Sequence, residues 1–519
     1  MFVNAIKNEL NNEKRFTENG AVGFATTGTK LLDLNFAVAS LRRMAEVDII
    51  NKFMDAYYEN PVTAMKWLFY CRDARQGLGE RRTFRVVLKY LAESLHLDVV
   101  DSLVKYVAEY GRYDDLWCLL GTKIAPTVYE YIATQLREDV NNMKQGKPIS
   151  LLGKWMPSEN CSSQETRKRA TQMRKALGMS SRDYRKMLSR MRKYLRVVEC
   201  DMSAKEWGAI NYEAVPSRAN LIYNNAFLRN DEERRRAYLG ALEKGEAKIN
   251  ASVLYPHDIV HKYRCSYDAT FEGLWNALPD TVNGCGNTIV VADGSGSMNC
   301  NVGGTTCVTA LEVANALAIY FSERSSGEFK DKYITFSQKP QLVDFSNAHT
   351  LREKISIAKR HNEVANTNIE AVFDLILSTA VNNRMRQEDI PTNVLIISDM
   401  EFDSCATTNA TNNASGGWGL FYSPIVRPTT TLFDYIAQKY AAHGYKLPRL
   451  VFWNVNSRTS TIPVKHNDLG VALVSGFSVN IVKMVMSNKL DPYECLLDVL
   501  NVERYKPVED AISGLFERR

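Results

Sequence analysis

A chain of 519 residues, 45% apolar and 10% aromatic, is too long for one ordinary domain and has ample material for two or three cores. No stretch approaches the roughly 20 continuous apolar residues of a membrane helix. The opening Met1–Leu10 lacks a signal core, and ten scattered cysteines form no CxxC pair. A cytoplasmic, reduced protein without membrane insertion is therefore expected. The net charge of +6 conceals an asymmetry: residues 167–196 carry twelve lysines and arginines against one acid, Asp183. That segment holds +11, which leaves −5 for the rest of the chain.

In chain order, residues 1–280 read as all-α. Phe84, Val87, Leu88, Leu91 and Leu95 recur at helical spacing, as do Leu103, Val104, Val107 and Tyr110. Breaks at Gly77/Gly79, Gly111 and Pro126 suggest stacked helical hairpins, a HEAT-like helical-repeat region. Residues 141–166 read as a linker ending in a capping box, Ser162 with Glu165.

The basic segment 167–196 comes next. On a wheel of about 100° per residue, Arg182, Arg185, Lys186, Arg190, Arg192, Lys193 and Arg196 fall within about 160° of arc. Tyr184, Met187, Leu188, Met191, Tyr194 and Leu195 cover the other face. Gly178 separates this helix from an earlier one carrying Arg167, Lys168, Arg169, Arg174 and Lys175. Solvated helix faces interleave acids at i+4, and here almost none are present, so a polyanion is the expected partner, nucleic acid first. Such contacts give affinity without sequence reading.

Residues 281–519 change pattern. Thr288–Ala292, Tyr333–Phe336, Val394–Ser398, Leu450–Val455 and Val471–Val474 are predicted strands, alternating with helices around Leu311–Phe321 and Ile369–Ile376. This is the signature of a doubly wound parallel sheet, whose ligands bind at the carboxyl ends of the strands. The first strand ends in Asp293-Gly-Ser-Gly-Ser297. One carboxylate and two hydroxyls on a glycine-loosened turn are hard oxygen donors, suited to Mg2+, with Mn2+ or Ca2+ as alternatives. The polar insert Cys405–Gly419 reads as a loop directly after a strand end.

The set Asp293, Ser295 and Ser297 resembles the first loop of the metal-ion-dependent adhesion site of von Willebrand factor A domains. That resemblance implies a threonine and a later aspartate as further metal residues, and Thr367 and Asp399 stand in those places. It also implies an open coordination position for water or an acidic group on a protein ligand. Cys71–Arg82, Met202–Trp207, Val215–Ser217, Val372–Leu377, Ser398–Asp403, Val451–Asn454 and Gly470–Ser478 resemble, in order and content, a family of von Willebrand A-containing proteins. Its members occur in plants, fungi, large viruses and phages and carry a domain-of-unknown-function label. The family favours Asp after the threonine, where this chain has Asn368. More distantly, helical repeats followed by an A domain resemble the Ro ribonucleoproteins of the TROVE module. Gly77–Arg82 is faintly similar to a glycine–arginine segment of theirs, and that likeness implies binding of structured or non-coding RNA.

Neither a GxSxG elbow nor a GxxxxGK[ST] loop is present. Haloacid-type phosphatases need a second carboxylate where Ser295 stands. His257 and His261 lie at i, i+4 without a third zinc ligand. A non-enzymatic, Ro-like RNA-binding protein with a divalent-metal site for a second ligand is the expected function. The alternatives are a metal-dependent protein scaffold without RNA, or a metal-assisted phosphoester hydrolase using Asp293, Asp399 and Glu401.

Overall fold

The computed structural model describes residues 14–265, 268–282, 287–303, 307–336, 338–363, 367–403, 432–463, 471–485 and 491–516. The insert 405–419 lies outside them. Two compact units are present. The α/β unit comprises residues up to Ala45, Met54–Glu59 and Leu254–Val499; the helical unit comprises Glu46–Phe53, Asn60–Val253 and residues from Leu500 onward. The units therefore differ from the sequence halves 1–280 and 281–519.

In the α/β unit, strands β1 (Lys14–Phe16) and β2 (Val22–Phe24) form an antiparallel hairpin within a stretch that the sequence pattern marks as helical. The main sheet contains β3 (Thr288–Asp293), β4 (Lys332–Phe336), β5 (Gln341–Asp344), β6 (Asn393–Ser398), β7 (Arg449–Asn454) and β8 (Val471–Ser475). Their order is β5-β4-β3-β6-β7-β8, with every pairing parallel except β4 with β5. The sheet is thus mixed at one edge, where a wholly parallel sheet was expected. β5 has only four residues, half of them exposed, too short for the alternation that marks a strand.

β7 shows why the sheet is covered on both faces. Its Phe452 meets Phe433 of the helix Leu432–Ala442, with ring centroids 4.7 Å apart. The next residue, Trp453, meets Phe321 of the helix Ala310–Arg324 at 5.4 Å. Successive side chains on a strand point to opposite faces, so helices flank the sheet on each side. The chain moves outward from β3 to β5, then returns across β3 to β6. The switch point of this doubly wound sheet therefore lies between β3 and β6, where a ligand crevice is expected.

In the helical unit, the helix Pro61–Arg72 is buried almost all round, and the C-terminal helix Lys506–Phe516 packs against it. Apolar periodicity misled at one position: Leu95 is 88% exposed, because the helix Arg82–Glu93 ends before it. The linker reading of 141–166 is also corrected. The helix Ala125–Lys144 runs into it, and Leu152, Gly153 and Met156 are buried beneath the helix Ser181–Tyr194. A Cβ on Gly153 would stand 2.7 Å from Met191 Cβ, so only glycine allows this contact. The capping residue is Ser163, which accepts from Thr166 N, while Glu165 pairs with Arg169.

The glycine–arginine segment is a structural staple of this unit. Arg72 and Arg85 share the buried Asp115 at 2.7 and 2.6 Å. A Cβ on Gly77 would lie 2.0 Å from Tyr70 O, and Gly79 has φ +72°. Asp73 is fully buried and held by Arg504, Tyr505 Oη and Arg75 N. Tyr505 stacks on Tyr110 with centroids 5.7 Å apart. Arg504→Ala leaves a buried carboxylate without its cation and is expected to cost about 3–5 kcal/mol. Urea denaturation measures it; a loss below about 1 kcal/mol would show that Asp73 does not depend on this pair.

Candidate functional site

The register of β3 and β6 assembles the predicted metal residues. Ala292 pairs with Ile397, so the next residues, Asp293 and Ser398, fall side by side. Ser398 Oγ donates to Asp293 Oδ2 at 2.6 Å, and Ser295 N donates to Asp293 Oδ1 at 2.9 Å. Ser295 Oγ and Ser297 Oγ lie 2.9 Å apart, and Glu401 N donates to Asp399 Oδ1 at 3.3 Å. Asp293, Ser295, Thr367 and Asp399 are all buried, at 0–1% exposure, and Ser297 is half-buried. Gly294 is required for space: a Cβ there would meet Thr335 Oγ1 at 2.9 Å.

The electrostatics of this cluster call for a cation or a proton. Burial first, and then the Asp293 charge, push the Asp399 carboxyl up to about 7. Asp293 is also raised, chiefly by burial and with a further push from Asp403. Asp399 Oδ2 is buried and accepts no hydrogen bond. Two adjacent buried carboxylates, one with an oxygen that accepts no hydrogen bond and has Arg458 Nη2 3.5 Å away, and two serine hydroxyls form a hard-oxygen donor set of the kind that suits a divalent cation.

Thr367 precedes the helix Glu370–Asn382, and its carbonyl accepts from Asp403 N at 3.0 Å, which ties its loop to the segment after β6. Asn368, in the place where aspartate was expected, accepts from Ala371 N at 3.1 Å. It performs the helix-capping task a carboxylate would perform there. Glu401, named above only for the hydrolase alternative, is tied into the protein. It is fully buried, and its oxygens accept from the N–H groups of Glu18, Arg458 and Thr459 at 2.9 Å each and from Thr459 Oγ1 at 3.0 Å.

Two residues next to the site were invisible in the sequence. Asn19, in the β1–β2 turn, donates to Thr367 Oγ1 at 3.3 Å, and Arg458, after β7, places Nη2 3.5 Å from Asp399 Oδ2. They lie 348 and 59 positions from those partners, and no local pattern marks either. The histidine pair is structural: His257 stacks on Tyr255 and His261 meets Glu312.

The basic segment folds into helices Gln164–Ala176 and Ser181–Tyr194, separated by Gly178 at φ +65°. Arg167, Lys168, Lys175, Arg182, Arg185, Lys186, Arg190, Lys193 and Arg196 are exposed or nearly so. Arg169, Arg174 and Arg192 are more engaged with the protein. Arg174 pairs with Glu159 at 2.9 Å, and Arg192 donates to Gly153 O, Met156 O and Ser158 Oγ at 2.8–3.0 Å. Arg192 thus fastens the stretch expected to be a linker. The segment's one acid, Asp183, accepts from the capping Ser180 hydroxyl at the helix start.

These features define a class: an α/β unit with a buried, acidic and hydroxyl-rich cluster at its switch point, joined in one chain to a helical unit with a basic face. Residues 287–507 match a domain of unknown function, DUF7788, and residues 159–284 match another, DUF2828. Protein L728 of Acanthamoeba polyphaga mimivirus, described as uncharacterized, is 30% identical over 537 residues, spanning 95% of this chain and 88% of that protein. The chain belongs to the family of that viral protein. Among solved structures, the Ro (RSR) protein of Deinococcus radiodurans aligns over 86% of this chain and 92% of its own, at 13% identity and TM-score 0.41. No described helix is long and apolar enough to cross a membrane.

The raised Asp399 carboxyl gives a pH signature. Between the ordinary carboxylate range near 4 and about 7, folded metal-free protein binds a proton that the unfolded chain has lost. The contribution of Asp399 to stability is therefore most favourable below that window and falls as pH rises through it. Denaturation midpoints in EDTA, compared with those of Asp399→Asn, measure the slope. A wild-type midpoint that rises relative to the variant would contradict this assignment.

Proposed function

We propose that this protein is a non-catalytic binder of two ligands: RNA on its helical unit and, through a divalent cation, a second ligand on its α/β unit. The observation that carries the RNA reading is the row of outward-facing cations on 167–196, whose single acid is spent on a helix cap. Like charges at this density repel one another, and a phosphate backbone removes that repulsion while releasing counterions. The helical unit is read as a HEAT-like scaffold for that face, of the kind Ro-type proteins use.

The α/β unit is read as a von Willebrand factor A domain. The order β5-β4-β3-β6-β7-β8, with one antiparallel edge strand and the donor loop at the end of β3, supports this. Asp293, Ser295, Ser297, Thr367 and Asp399 would hold Mg2+, or Mn2+ or Ca2+, which supplies a Lewis-acidic position for an oxygen ligand. Binding is favoured over phosphoester hydrolysis because Glu401, one of the two base candidates beside the site, already has its oxygens occupied by donors from Glu18, Arg458 and Thr459.

Two experiments test these readings. RNA affinity should fall linearly in a log–log plot against salt. Replacing Arg185, Lys186, Arg190 and Lys193 by Gln should flatten the slope by about 0.7–0.9 for each phosphate that the variant no longer neutralises. An unchanged slope would exclude the basic face from RNA binding. For the cation, Mg2+ at about 100 times its dissociation constant should stabilise the fold by about 2.7 kcal/mol. Ser295→Ala with Ser297→Ala should abolish that gain in a thermal melt, and equal stabilisation of both proteins would sink the metal reading.

A further inference from the structure

The arginines that staple the helical unit outnumber the acids they share. Arg112 donates through Nε and Nη2 to the two oxygens of Asp114, at 2.8 and 2.7 Å. Arg85 donates through Nη2 to Asp114 Oδ2 at 2.9 Å and through Nε to Asp115 Oδ1 at 2.6 Å. Arg72 Nε and Arg112 N reach Asp115 Oδ2 at 2.8 and 2.9 Å. Each carboxylate oxygen of the cluster already accepts an N–H.

Arg81 adds a further cation at the start of the helix Arg82–Glu93. It stands four residues before Arg85, whose N–H bonds Arg81 O at 3.1 Å, so both side chains leave one face of that helix start. Among the described residues, the Arg81 guanidinium makes no hydrogen bond or ion pair, and Nη1 of Arg85 and of Arg112 donates to nothing. Partial burial first, then the charges of Arg112, Arg72 and Arg85, hold Arg81 well below the ordinary arginine range, at about 10. Four guanidiniums against two carboxylates leave an excess of +2. The excess can be reached from outside: Arg81 is exposed, and Arg85 and Arg112 keep 30% and 26% of their side-chain surface open. Arg112 is also held in place by Trp155, whose ring centroid lies 4.0 Å from the guanidinium carbon.

We propose that Arg81, Arg85 and Arg112 form a binding site for a terminal phosphate group, the dianion of a phosphate monoester. The cluster has donors and positive charge in surplus, so its ligand must bring acceptors and negative charge. A phosphate monoester carries about −1.5 to −2 near pH 7 and offers three acceptor oxygens. A phosphodiester or a carboxylate brings a single charge and leaves the rest of the repulsion in place. The planar fork of arginine matches phosphate oxygens in pairs. This site is built from other elements than the cations of 167–196, and it depends on neither the RNA nor the metal reading.

Calorimetric titration of the full chain at about pH 7.5, above the second phosphate ionisation near 6, tests it. The probes are adenosine monophosphate and inorganic phosphate, with dimethyl phosphate as the monoanionic control. Both probes should bind, and Arg81→Gln should weaken them by about tenfold or more, the scale of one charge-assisted hydrogen bond. That variant should melt no lower than the parent, which separates loss of ligand from loss of fold. Gln at Arg185, Lys186, Arg190 and Lys193 should leave both affinities unchanged. No binding of either probe, equal affinity of parent and Arg81→Gln, or a loss produced only by the 185–193 replacements overturns the site. Dimethyl phosphate binding as tightly as the probes overturns the ligand class. An RNA oligonucleotide with and without a terminal phosphate separates two sources of the same group. A gain that Arg81→Gln abolishes assigns the site to strand ends, and no gain assigns it to free monoesters.

Discussion

Two carboxylates forced together at the end of a buried sheet set the terms for the α/β unit. Asp293 ends β3, Asp399 follows β6, and the pairing of those strands leaves neither aspartate room to reach solvent. Burying like charges side by side is unfavourable unless a proton or a cation intervenes. Ser398 and Ser295 hydrogen-bond to Asp293 without neutralising the pair. Loop spacing, glycine placement and the N-terminal hairpin all serve to hold that arrangement in place.

The hairpin and the loop 457–461 meet on Glu401, which spends its oxygens on backbone N–H groups from both. That buried carboxylate joins three distant stretches of chain around one crevice. A residue used this way is an organiser of the rim. Its saturation with donors is the support for proposing a binding site there.

Much of this was legible in the sequence, for definite reasons. β3, β6, β7 and β8 are buried apolar runs, and Asp293-Gly-Ser-Gly-Ser297 sits where such a run must end. The wheel over 181–194 separated Tyr184, Leu188 and Met191 from the cations correctly, because that helix packs by one face. What stayed hidden was set by distant partners. β5 is too short and exposed to show a pattern, the hairpin has three-residue strands, and Arg192 lies within the cationic arc yet turns to carbonyls at 153 and 156. Chain order also misplaced the ends: Tyr505 and Arg504 belong with Tyr110 and Asp73 in the helical unit, which no local composition announces.

The central claim is that the crevice between β3 and β6 is built for a hard divalent cation. Anomalous scattering from crystals soaked in Mn2+ addresses it directly. The expected result is a peak bonded to the Ser295 and Ser297 hydroxyls, with Asp293, Thr367 and Asp399 around it and Arg458 drawn away from Asp399. Crystals with Mn2+ bound elsewhere, and Asp399 still facing Arg458 across a metal-free crevice, would contradict it.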